Sequence, residues 1–176
     1  MMQYWSHFKY TMIHKWYVLL ECHKRGILWR GIKHDMSKFL PSEFSAYANF
    51  FFYADGTRRD PDNPPLSRQV AAFDRAWVHH ANWNDHHWNY WAEAPHNSVN
   101  RDVREAVIMS IPAMKEMVAD MIGASRAQGN ENYEKSASEF YFKHLKSGRI
   151  VLHPVTETFV STEFGILARR VINDNS

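Results

Sequence analysis

The sequence has little cysteine, little net charge and no long hydrophobic run. Cys22 is the only cysteine among 176 residues, which excludes an intrachain disulfide and a thiolate-rich zinc site. The 21 basic and 19 acidic side chains leave a formal net charge of +2, so nothing favours binding to duplex nucleic acid or an anionic membrane. The longest clean apolar run near the N-terminus, WYVLL, is too short for a signal-peptide core or a membrane span.

The overall composition is that of a globular domain. Hydrophobic residues make up 45% of the chain and charged residues 23%, which argues against disorder, collagen and coiled coil. The length is typical of one domain, so we expect residues 1–176 to form a single domain. With one cysteine and no address motif, the expected location is the reducing cytoplasm.

Histidine and aromatic residues are what the chain has in excess. Eleven histidines are present, and aromatic residues reach 15% with seven tryptophans. A domain of this size buries only part of so many rings, so we expect some of them to line a cleft. The histidines lead toward function because imidazole is a common metal ligand.

Apolar residues recur at helical spacing along nearly the whole chain. Residues 3–25 carry Phe8, Met12 and Trp16 at such spacing, and Gly26 is a plausible stop. Further helices are predicted at 28–39, from Ser42 onward, at 68–81, in a long stretch kinked at Pro112, at 136–145 and at 156–171. Loops are predicted at 54–67 and 95–100. We therefore expect an all-α fold, a bundle of about six to eight helices.

The strongest local motif is His34-Asp35-Met36-Ser37-Lys38. On a helix, Lys38 follows His34 by four residues and Asp35 by three, so the three side chains would share one face. An imidazole beside a carboxylate suits a borderline divalent metal ion, and an aspartate can bridge two ions. A lysine one turn further on would neutralise a phosphate oxygen held by that metal. For this motif alone, a solvated charged face is the alternative.

Two residues outside the motif complete a first candidate site. His14 lies on the first predicted helix, and a helix–turn–helix would fold it back toward His34, although a core histidine is the alternative. Asp120 lies among apolar residues of the long helix, where a buried carboxylate needs a cation. A surface carboxylate near a basic residue is the alternative for Asp120. We expect His14, His34, Asp35 and Asp120 to converge on one metal ion.

Four histidines occur close together in HHANWNDHH. Neighbouring side chains on a helix point about 100° apart, and residues seven apart lie about 10 Å apart along its axis. Either the chain breaks near 82–84, or the two pairs serve different ions. We expect one ring of each pair to bind metal, namely His80 and His87, with the other two as substitutes, namely His79 and His86.

The order of these residues resembles the HD-domain superfamily of metal-dependent phosphohydrolases. That order is His14, His34, Asp35, the histidine pairs and Asp120. The resemblance implies an HD-like helical domain, with these residues as first ligand, eponymous dyad, second-metal ligands and closing aspartate. The HDxxK form is similar to the cyclic-dinucleotide phosphodiesterase branch, in which Lys38 would contact a phosphate.

A narrower similarity points to a small family found in bacteria and phages. The similar stretches are GIKHDMSKF, SEF, AWVHHANWNDHHWNYW and MVADMIGASRA. The spacing between the histidine pairs is shorter than in the phosphodiesterase branch, and no GYP-like motif follows. The second-metal ligands and the cyclic-dinucleotide substrate therefore stay open.

The first function hypothesis is hydrolysis of a nucleotide or related phosphoester. Two divalent ions bridged by Asp35 would activate a water, and Lys38 would neutralise developing charge. Arg126 is a candidate second clamp, and Trp83 or Trp88 is a candidate for stacking on a base. The ligand types do not distinguish Mn, Fe, Co, Zn and Mg. We expect a small phosphorylated substrate as partner, no membrane and no duplex nucleic acid, and the sequence allows a homo-oligomer.

Two other function classes remain open. An HD-fold di-iron oxygenase would use the same ligands to oxidise a C–H or C–P bond with dioxygen. A non-catalytic protein would sequester a nucleotide signal. Iron content with visible absorption would identify the oxygenase, and tight binding without turnover would identify the sequestering protein.

Overall fold

The computed structural model describes residues 1–60, 62–92 and 106–174, with side chains up to residue 167, so the predicted loop at 95–100 lies outside the described residues. The described part forms α-helices and one short 3-10 turn, Met36–Phe39, without a β-strand. The helices are α1 (Met2–Lys24), α2 (Leu28–Lys33), α3 (Pro41–Phe51), α4 (Ser67–Trp83), α5 (Trp88–Trp91), α6 (Ile111–Ala127), α7 (Tyr133–Lys146) and α8 (Pro154–Asp174). The predicted all-α class is confirmed. None of these helices is both long and apolar enough to cross a membrane.

Helix α1 packs against α2, α3 and α6, and its contact with α6 is unusually close. A Cβ on Gly123 would lie 2.5 Å from Val18 Cγ2 and 2.9 Å from the Val18 backbone nitrogen. Only glycine allows this approach, because backbone atoms cannot move aside as a flexible side chain can. One turn toward the N-terminus of each helix, the same contact brings His14 beside Asp120.

The helices α6, α7 and α8 enclose the main apolar core. Its fully buried side chains include Met117, Ile122, Tyr141, Val160 and Phe164. The rings of Tyr141 and Phe164 stack with their centroids 4.9 Å apart. Burial of side chains of this size stabilises by about 1.5–3 kcal/mol each, so this cluster is the chief apolar support of the fold.

Two local predictions are wrong. The helix predicted over 28–39 ends at Lys33, because Asp35 has a φ of 55° that no α-helix accommodates. The kink predicted at Pro112 is absent as well. Pro112 lies in the first turn of α6, where its fixed φ and missing N–H are tolerated.

Candidate metal centre

The centre begins at the break between α2 and α3. Asp35 adopts the left-handed conformation, which Asn and Asp tolerate better than other residues with a Cβ. The break directs His34 and Asp35 into the interior, where they are 2% and 1% exposed. The three-residue period of the 3-10 turn then brings Lys38 Nζ to 2.5 Å from Asp35 Oδ2. The prediction that these side chains share one face of an α-helix is therefore wrong, although Lys38 and Asp35 are still in contact.

Four donor atoms from three parts of the chain form the first ligand group. They belong to His14, His34, Asp35 and Asp120. His14 Nε2 lies 3.3 Å from His34 Nε2, 3.4 Å from Asp35 Oδ2 and 3.1 Å from Asp120 Oδ1. His34 Nε2 lies 3.3 Å from each of those oxygens. Atoms bound to one ion at about 2.0–2.2 Å lie roughly 3–3.5 Å apart, so the group has the size of a coordination sphere.

A second ligand group lies on the other side of Asp35. Helix α4 ends just before Asn84, whose side-chain amide donates to the His80 carbonyl at 2.8 Å. Because the chain turns here, His80, His86 and His87 converge. Of the two alternatives that the sequence left open, the structure therefore has the chain break near 82–84. His80 Nε2 and His86 Nε2 lie 3.3 and 3.5 Å from Asp35 Oδ1. A donor atom of His87 completes a group in which all atoms lie within 4.8 Å of one another.

Asp35 connects the two groups through its two oxygens. Oδ2 faces His14 and His34, whereas Oδ1 faces His80 and His86. In two-metal sites the ions lie about 3.5–4 Å apart, a separation that one carboxylate can span. The geometry of Asp35 is therefore that of a bridging ligand.

Several buried donor atoms of the second group have no hydrogen-bond partner among the described residues. They are Asp35 Oδ1 and the Nε2 atoms of His80, His86 and His87. Leaving such atoms unpaired in the interior costs free energy, and a bound cation removes that cost. The donors are imidazole nitrogens and carboxylate oxygens, which suit borderline divalent metal ions.

Two buried glutamates hold the histidine rings from behind. Glu116 Oε1 lies 2.9 Å from His34 Nδ1 and 3.2 Å from His86 Nδ1, and Glu43 Oε2 lies 3.0 Å from His80 Nδ1. When Nδ1–H donates to a carboxylate, Nε2 keeps its lone pair, and here Nε2 is the atom that faces Asp35. The glutamates thus hold these three rings with Nε2 toward Asp35, the orientation that a metal ligand needs.

The charges of the centre favour ionised carboxylates. Burial raises the pKa of Asp35, but His34 and Lys38 outweigh it and hold that pKa well below its usual range. Burial raises the pKa of Asp120 too, and the neighbouring rings of His14 and His34 hold it well below normal. Burial lowers the pKa of Lys38, and the charge of Asp35 raises it above normal. Both aspartates can therefore offer negative charge to a cation at neutral pH.

Two neighbouring cavities, called here the metal lobe and the inner lobe of a cleft, lie beside the centre. The metal lobe has a volume of about 310 Å³ and is lined by residues that include His14, Lys38, Trp77, His86, His87, Trp88, Met117, Asp120 and Phe140. The inner lobe has a volume of about 210 Å³ and is lined by residues that include His7, Thr11, His14, Lys38, Tyr47, Phe51, Arg58, Phe73 and Trp77. The lobes share His14, Lys38 and Trp77, so they meet beside the ligand groups.

Residues 3–165 match a family described as "Family of unknown function (DUF5662)". The chain belongs to the DUF5662 family. No curated protein and no solved structure matches it. Both ligand groups lie within the part of the chain that matches DUF5662, and the family description supplies no activity for them.

Three residues predicted for the site of this DUF5662 protein lie outside the ligand groups and the cleft. His79 is half-exposed, and its Nδ1 lies 2.5 Å from Glu43 Oε1, so it supports that glutamate. Trp83 is 68% exposed and lines a separate depression beside Arg30. The Arg126 guanidinium lies over the rings of two tyrosines, Tyr17 at 4.3 Å and Tyr133 at 5.0 Å.

Other residues of the DUF5662 centre were not predicted, or were predicted only as substitutes. His86, a substitute in the sequence-based prediction, lies in the second ligand group beside His80 and His87. Glu116 lies one turn before Asp120 on α6, and this four-residue spacing is a signal that could have identified it. No comparable spacing relates Glu43 to the histidine it supports.

Proposed function

We propose that this protein is a metal-dependent phosphohydrolase that acts on a nucleotide or related phosphoester. Two divalent ions would be held, one by each ligand group, with Asp35 shared between them. The orientation of the Asp35 carboxylate, one oxygen toward each group, carries the proposal. The ligand order also agrees with what the resemblance to HD-domain phosphohydrolases implies.

The residues of the chain have separable roles in this proposal. When bound, two divalent ions supply an activated water and a polarised phosphate oxygen. Asp35 and Asp120 offset the positive charge, while Glu43 and Glu116 hold the rings in place. Lys38 lines both lobes and has three donors, of which one serves Asp35, so the others can bind a phosphate oxygen.

The test combines elemental analysis with an assay of phosphate release. The full chain is incubated with mono-, di- and cyclic nucleotides in the presence of Mn, Fe(II), Co, Zn or Mg. We expect about two ions per chain and a hydrolysis that a chelator abolishes and added metal restores. A chain without bound metal, or turnover that survives the chelator, would refute the proposal.

The variant Asp35→Asn is the sharpest control. Asparagine tolerates the left-handed backbone of this position, so the substitution removes the charge and leaves the local fold. We expect loss of metal and of turnover in Asp35→Asn, and neither loss in the matched control Asp62→Asn, whose carboxylate is exposed in a loop. Iron with visible absorption and dioxygen consumption would assign the oxygenase, and nucleotide binding without turnover would assign the sequestering protein.

A further inference from the structure

The inner lobe of the cleft holds polar groups that the metal centre does not use. His7, Thr11 and Tyr47 line it and are 3%, 1% and 5% exposed. Both ring nitrogens of His7 and the hydroxyls of Thr11 and Tyr47 have no hydrogen-bond partner among the described residues. Three neighbouring side chains therefore carry buried polar atoms without a partner beside one cavity.

Simple packing does not account for this arrangement. A polar atom buried without a partner costs free energy, and alanine, valine or phenylalanine at these positions would avoid the cost. The cavity of about 210 Å³ would hold about seven waters at roughly 30 Å³ each, more than are needed to satisfy the four atoms. The lobe has the size and the polar groups for part of a ligand.

The chemistry of the walls indicates the class of that ligand. Burial and, to a lesser extent, the charge of Lys38 lower the pKa of His7 to about 4, so its ring is neutral and offers one donor and one acceptor. The Thr11 and Tyr47 hydroxyls can each donate and accept. Phe51 and Phe73 add apolar aromatic surface. A flat, uncharged ring with hydrogen-bond donors and acceptors on its edge fits these walls.

The lobe also lies at a suitable place relative to the ligand groups. His14 and Lys38 line both lobes, so a base in the inner lobe would lie close to a phosphate at the metal centre. At the inner lobe the exposed Arg58 guanidinium lies 5.4 Å from the centroid of Tyr10 and 6.0 Å from that of Phe51. Arg58 therefore adds a cationic planar group to the aromatic wall.

We propose that the inner lobe binds the nucleobase of a nucleotide ligand, which His7, Thr11 and Tyr47 select by hydrogen bonds to its edge. This inference rests on the proposed function in that it takes the same molecule to carry the phosphate. The inner lobe can be tested by itself with free nucleosides, because these have a base and no phosphate.

The experiment is calorimetric titration of the full chain with adenosine, guanosine, cytidine and uridine, with ribose as the probe that lacks a base. We expect saturable binding of at least one nucleoside and none of ribose. Thr11→Val and Tyr47→Phe should each weaken that binding by about 2- to 10-fold, the usual effect of one lost hydrogen bond. The Tm of both variants should be unchanged or higher, because the deleted hydroxyls have no partner among the described residues.

Tyr141→Phe is the matched control, since its hydroxyl lies 3.0 Å from Ser161 Oγ in the apolar core. It should lower the Tm and leave nucleoside affinity unchanged. Absence of nucleoside binding, or equal affinity in the Thr11→Val/Tyr47→Phe double variant, would overturn the inference. Phosphoester hydrolysis without nucleoside binding would refute the inference alone, and nucleoside binding without hydrolysis would refute only the proposed function.

Discussion

The two sides of α6 face interiors of opposite character. Toward α7 and α8 the buried side chains are apolar, with Tyr141 and Phe164 completely enclosed. Toward α1, α4 and the break after α2, buried ionisable side chains lie beside a small apolar cluster of Val18, Cys22 and Ala119, and His34, His80 and Glu43 are at most 2% exposed. An apolar core is stable by itself, whereas buried charges stabilise only when they are well paired. If the proposed cations bind, stability on the polar side should depend on them, and stability on the apolar side should not.

The largest expected effect is on stability, from a substitution in the apolar interior alone. Phe164→Ala removes a fully buried ring, which costs about 3–5 kcal/mol in the free energy of unfolding. We expect metal content per folded chain to be unchanged, because Phe164 belongs to the apolar cluster and to neither ligand group. Urea unfolding and elemental analysis test both statements, with the exposed Phe142→Ala as control. Loss of metal in proportion to stability would show that the two interiors are not independent.

The next effect concerns activity on the polar side. Lys38→Met keeps the length of the side chain and removes its charge, so kcat/KM should fall by about 10²- to 10³-fold. Metal content should stay the same, because a charged ammonium has no lone pair for a metal. The measurements are kcat/KM and metal stoichiometry, beside the exposed Lys135→Met. Undiminished turnover would remove Lys38 from the mechanism, and loss of metal equal to that in Asp35→Asn would assign it to the folding of the site.

A smaller effect is expected behind the ligands. Glu116→Gln removes the carboxylate that faces the Nδ1 atoms of His34 and His86 and that also pairs with Arg30. Loss of such a supporting carboxylate typically weakens metal affinity by about 10- to 100-fold. Competition with a metal-binding dye measures this change, with the exposed Glu139→Gln as control. Unchanged affinity would show that packing alone orients the rings.

The sequence predicted the all-α class, and it pointed to the polar side more clearly than to the geometry of that side. Histidines and aspartates among apolar residues are conspicuous, which is why His14 and Asp120 could be paired across the chain. The left-handed conformation of Asp35 could not be predicted from helical spacing, since a single residue with positive φ leaves no periodic signal. Glu43 was missed for a related reason: its contact with His80 depends on how α3 packs against α4, and helix packing is not encoded in spacing along either helix.

Arg126 also shows that spacing along a helix does not determine where a side chain points. In the sequence-based hypothesis this residue is a candidate second clamp on the substrate. The side chain instead stacks between Tyr17 and Tyr133, and the residues that line the metal lobe near it are Ser125 and Gln128. Direction on the helix, rather than distance along the sequence, decides which of these neighbours reaches the cleft.

The smallest effect is therefore expected for Arg126→Met, which keeps an apolar stem between the two tyrosines and removes the charge. The loss of two cation–π contacts should lower the free energy of unfolding by about 1 kcal/mol in total, since exposed contacts of this type contribute roughly 0.5–1 kcal/mol each and overlap here. The value of kcat/KM for a nucleotide substrate should not change, in contrast to Lys38→Met. Urea unfolding and steady-state kinetics on the same preparation make the comparison. A fall in kcat/KM with an unchanged free energy of unfolding would contradict this expectation. It would mean that the guanidinium leaves the tyrosines to bind substrate, so that the polar interior extends further along α6 than its buried residues indicate.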